Sequence, residues 1–154
     1  MMSTTGGRSH WLGAPLIGLD RADFERAVLK RFAAAIDPAQ AYVERLAERQ
    51  LGNARALLPF NAILFAVLWF GDARSTLPRL ALLGGLLALA ACLFGLGVLY
   101  MRWGDNAQYG DAASDFRRAC GSVYRRAMLL RFSLVFSALT TAIVAASLLR
   151  QLVP

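Results

Sequence analysis

Residues 80–101 read LALLGGLLALAACLFGLGVLYM, an uncharged, proline-free run bounded by Arg79 and Arg102. As an α-helix these 22 residues extend roughly 33 Å, close to the ~30 Å hydrocarbon thickness of a bilayer. A helix buried in a water-soluble core is usually shorter and keeps a polar stripe, which this run lacks. It reads as a membrane span, and the remaining segments are laid out around it.

Two further apolar stretches flank it. Upstream, residues 54–71 form a shorter span with Pro59 and Asn61 near its start and Trp69 and Phe70 where an interfacial aromatic belt belongs. Asn61 either hydrogen-bonds across helices or satisfies backbone carbonyls freed by Pro59. The turn GDARSTLPR joins this span to the central one. Downstream, residues 127–149 form the third span. Within the central span, Ala81, Gly84, Gly85, Ala88, Ala91, Cys92 and Gly95 fall on one face at steps of three and four. In the third, Ser133, Ser137, Thr141 and Ala145 recur every four residues. Small-residue ridges let helices approach closely, so these two are expected to face each other.

The spans continue into polar ground without losing phase. Asp37-Pro38 starts a helix whose apolar stripe runs Val43, Leu46, Ala47, Leu51, Ala54, Leu58, directly into the first span. From about Asp111, a second stripe of Phe116, Cys120, Val123, Ala127, Leu130 and Leu134 runs into the third span. A shorter amphipathic helix precedes both, capped by Asp20 and ending before Asp37, with Phe24, Val28 and Phe32 on one face. It either lies on a membrane surface or packs on its neighbours. Residues 1–18, rich in Ser, Thr, Gly and Pro, read as a flexible tail rather than a cleaved signal. The expected architecture is all-α: an integral membrane three-helix bundle (54–150) with cytoplasmic helical extensions at 19–53 and 102–126.

Charge gives the expected orientation. The net charge is +7, and arginine supplies all but one of the 17 basic residues. Residues 1–55 and 102–131 hold 14 of them, so the positive-inside bias places the N-terminus in the cytoplasm and the C-terminus in the periplasm. Arg102, Arg125, Arg126 and Arg131 are the expected headgroup anchors, Arg131 by snorkelling. Basic residues interleaved with aromatics on one face are absent, so nucleic acid is not an expected partner.

Chemistry is harder to find. There is no Walker-type loop, GxGxxG, HExxH or GxSxG motif, and each of the ten acidic residues lies outside the three spans. Neither cysteine has a CxxC partner, so no metal, cofactor or catalytic residue is expected. The layout of AERQLGNARALLPFNAILFAVLWF, a hairpin, and YRRAMLLRFSLVFSALTTAIVA resembles the Pycsar transmembrane-effector and SLATT-like families of small bacterial membrane effectors, over about residues 40–150. The resemblance implies an oligomeric bacterial inner-membrane protein that senses a second messenger or partner through cytoplasmic helices and disrupts the membrane. The alternative is an accessory or scaffold subunit of a larger inner-membrane complex, its only activity helix packing. A small transporter fits least, because the spans lack charged or discontinuous elements.

Overall fold

The computed structural model describes residues 20–71, 78–101 and 111–152, all but a few of them in four helices. These are α1 (Arg21–Arg31), α2 (Ile36–Gly71), α3 (Pro78–Tyr100) and α4 (Ala112–Leu152). The tail 1–18, the turn residues 72–77 and the connection 102–110, with Arg102, lie outside the described residues. The fold is all-α, with three helices long and apolar enough to cross a membrane.

Helix lengths divide the molecule into two layers. The 23 residues of α3 correspond to about 34 Å, one bilayer thickness. The 36 residues of α2 and 41 of α4 correspond to about 54 and 62 Å, too long for a bilayer alone. Both excesses lie at the same end. Gln50 on α2 meets Val123 on α4, and Asn61 meets Ser137 further along, so the two helices run parallel. Leu58 touches Gly95 and Leu68 touches Gly84, so α3 runs antiparallel to α2.

The excess lengths, with α1, make a small head. Phe24 and Val28 of α1 are buried among Ala39, Val43 and Ala47 of α2 and Phe116, Cys120 and Val123 of α4. Of the two placements open to this helix, it takes the one packed on its own chain. Asp20 caps it, its side chain accepting from the Arg21 backbone N–H at 2.6 Å. The helix stops at Arg31, earlier than the pattern suggests, in a Schellman turn whose Ala34 N–H reaches the Leu29 carbonyl at 2.8 Å. Glycine is the usual residue there. Here Ala33 and Ala34 hold φ of 50° and 63°, a left-handed conformation costing a residue with a Cβ about 1–2 kcal/mol. The Arg31 guanidinium, 5.0 Å from the Tyr42 ring centroid, spans the turn from outside.

Two local expectations shift by a residue. α2 begins at Ile36, so Asp37 sits in its first turn, favourable to the helix dipole, rather than at the cap. On the α2 stripe Gln50, not Leu51, is the buried member, 5% exposed. Its Nε2 donates to the Val123 carbonyl at 3.2 Å. On α4, Asp111 caps the start, accepting from the Ala113 N–H at 3.2 Å.

Phe116, 2% exposed, anchors the head. Phe116→Ala is expected to cost about 3–5 kcal/mol, read as a lower denaturant midpoint for the head helices.

Candidate helix-packing site

Three faces converge inside the membrane layer. From α3 come Gly84, Gly85, Ala88, Ala91, Gly95 and Val98, all buried. From α2 come Ala54, Asn61, Leu64 and Leu68, and from α4 Leu130, Ser133, Ser137 and Thr140. The outward faces carry large apolar side chains such as Ile63, Leu82, Leu86, Leu93, Val135 and Leu148, suited to lipid.

The glycines set the spacing. A Cβ added at Gly84 would stand 2.8 Å from Leu68 Cδ1 and 3.2 Å from Ile143 Cγ2, and one at Gly95 would stand 3.3 Å from Leu58 Cδ2. These approaches bring polar groups within reach. Ser133 Oγ donates across to the α3 carbonyl of Ala91 at 2.9 Å. The two ridges therefore meet, through Ala91 and Ser133.

Asn61 and Ser137 tie α2 to α4. Ser137 Oγ lies 2.7 Å from Asn61 Oδ1 and 2.7 Å from the Ser133 carbonyl. One hydroxyl proton cannot serve two acceptors, while Asn61 Nδ2 is buried with no hydrogen-bond partner. With the amide turned over, Ser137 gives its proton to Ser133 and takes one from the Asn61 amide, which satisfies the hydroxyl in both directions. Either way Asn61 is spent on a contact between helices rather than on the carbonyls near Pro59.

Several expected site residues are placed differently. Thr141 is exposed, its hydroxyl turned back to the Ser137 carbonyl of its own helix at 2.8 Å. Thr140 is the buried member of the ridge. Steps of exactly four residues drift around a 3.6-residue helix, so the ridge must take a step of three to stay on its face. Cys92 is half-buried beside Ala91, which occupies the ridge. Arg126 is the larger correction: it is 1% exposed, not out among headgroups. Its Nη2 donates to the Met101 carbonyl just past the end of α3, where the helix dipole favours a cation. Arg125 and Arg131 are exposed, at the level where α4 leaves the head.

Gln50, Thr140 and the inward turn of Arg126 escaped the sequence reading. Gln50 had a signal, being one residue from Leu51 on the same apolar stripe. Among the described residues no group of His, Cys, Asp or Glu is arranged to hold a metal ion. Comparison of the chain with protein-family models, curated proteins and solved structures finds no match.

A double-mutant cycle of Asn61→Ala and Ser137→Ala tests the tie between helices. The expected coupling is about 0.6–1.7 kcal/mol, measured by unfolding in detergent; Ser137→Ala against Thr141→Val is expected to be additive.

Proposed function

We propose that this is a non-enzymatic protein of the bacterial inner membrane that carries a signal from its head to its spans and perturbs the bilayer. The supporting observation is continuity. α2 and α4 pass from head to membrane as unbroken parallel helices, so a tilt imposed on the head moves two of three spans with it. The trigger is a ligand or partner at the head. A second messenger is the class that the resemblance to small bacterial effectors implies, and several copies act together. The head faces the cytoplasm and the C-terminus the periplasm, by the distribution of arginine.

The polar groups of the spans constrain how the bilayer is perturbed. Ser133 and Ser137 face the interior of a single copy, where both are hydrogen-bonded. Movement of whole helices, rather than a standing polar channel, is the mode that suits this arrangement.

The closed interior also favours a second reading, an accessory or scaffold subunit of a larger inner-membrane complex. Stoichiometric co-purification of larger subunits in mild detergent, with masses measured natively, would support that reading over the first.

Gly52 offers a test of the first. It lies on the exposed side of α2 between head and span, and a Cβ there meets nothing within 4 Å. Overexpression of the unaltered protein in bacteria, at levels that bring copies together without the trigger, is expected to depolarise the membrane, read with a voltage-sensitive dye. Gly52→Pro, which interrupts the backbone ladder, is expected to abolish that response while the protein still fractionates with membranes. An unchanged potential with the unaltered protein would sink the proposal.

A further inference from the structure

α1 is the element least bound to the rest. It has 11 residues, and an isolated helix that short is marginal in water. Two buried side chains, Phe24 and Val28, seat it in the groove between α2 and α4, with Leu29 and the cap residue Phe32 packed half-buried beside them. Its polar ties are at the surface: Arg117 Nε meets Glu25 Oε1 at 3.2 Å, and Arg21 Nη2 meets the Arg117 carbonyl at 3.4 Å. Such exposed ties add little stability.

The connection to α2 works against the docked position. Ala33 and Ala34 are both held left-handed, a conformation that the surrounding structure must impose on a residue with a Cβ. The turn is closed by bonds to α1's own last carbonyls, so it relaxes once α1, marginal by itself, frays after leaving the groove. α2 and α4, by contrast, are held together along the membrane layer by Asn61, Ser137 and the apolar contacts around Leu130.

We propose that α1 is a releasable strap: it lifts from the α2–α4 groove as a unit and uncovers Val43, Ala47, Phe116 and Cys120, while α2, α3 and α4 stay packed. Local openings of this kind occur well below the free energy of whole-protein unfolding when few buried side chains hold the element. The inference does not depend on the signalling role proposed above, since it concerns only which element opens first.

The chain carries its own reporter. Cys120 is fully buried in the cluster that holds Phe24 and Val28. Burial, and then the nearby Glu25, push its thiol up to about 12, with Arg21 acting in the opposite direction. While the strap is down the thiol is both covered and protonated, hence unreactive. Only one other cysteine exists, Cys92, so Cys92→Ala leaves Cys120 as the sole thiol.

The experiment is maleimide labelling of full-length Cys92→Ala protein in lipid nanodiscs, followed by mass. Cys120 is expected to react without denaturant, at least ~10-fold faster than helical structure is lost under the same conditions. Ala34→Gly, which removes the strain of the docked turn, is expected to slow labelling about three-fold. Val28→Ala, which loosens the seat, is expected to speed it about ten-fold. Labelling that keeps pace with loss of helical structure would overturn the strap, as would a rate indifferent to Ala34→Gly. Should Val28→Ala fail to fold, the Ala34→Gly comparison decides alone.

Discussion

Inside a bilayer there is no water to take up a hydroxyl or an amide, so every polar side chain in a span must be answered by protein. The membrane layer of this molecule is organised by that requirement. Ser133, Ser137, Thr140 and Asn61 are all turned inward. α3 has almost no polar side chain to offer them, yet it answers Ser133 with the backbone carbonyl of Ala91. A carbonyl can be reached only where a backbone comes close, and Gly84, Ala88 and Gly95 on the same face permit that approach. The small residues and the hydroxyls are therefore one device. Bulk at the glycines would push α3 away and leave the serine without its partner.

The same helices obey another rule a few turns earlier. In the head, water is again available outside, and the core is chiefly apolar packing around Phe24, Val43, Phe116 and Val123, with buried Gln50 answered by the Val123 carbonyl. α2 and α4 pass between the two regimes without a break in helix or phase. The junction is where the charged side chains change habit. Arg125 and Arg131 reach outward, whereas Arg126 turns in to the exposed backbone end of α3. A buried cation is costly unless dipoles receive it, and a helix C-terminus supplies them. The arginine thus fastens the end of α3, the shortest of the three membrane-crossing helices, to α4, the longest.

This arrangement separates the molecule into parts that differ in how firmly they are held. The three spans share interior hydrogen bonds and close backbone packing. The head adds α1 through two buried side chains and a turn of left-handed alanines. In the function proposed above the head acts on the spans through α2 and α4, so continuity of those two helices matters more to it than any single side chain.

Much of this was legible from composition and periodicity. The length and apolarity of 80–101 dictate a span because hydrocarbon thickness is a property of lipid, not of the fold. The stripes from Val43 to Ala54 and Phe116 to Leu130 announced long helices crossing from head to membrane, and the ridges around Ala91 and Ser133 announced a contact. What the chain alone could not choose was which of two adjacent residues faces inward. The burial of Gln50 and of Arg126 depends on where a neighbouring helix lies, and Thr140 rather than Thr141 follows from helical pitch once the inward face is set. A helix carries its own pitch and length in its local bonds, but the direction that counts as inside exists only once its neighbours have docked.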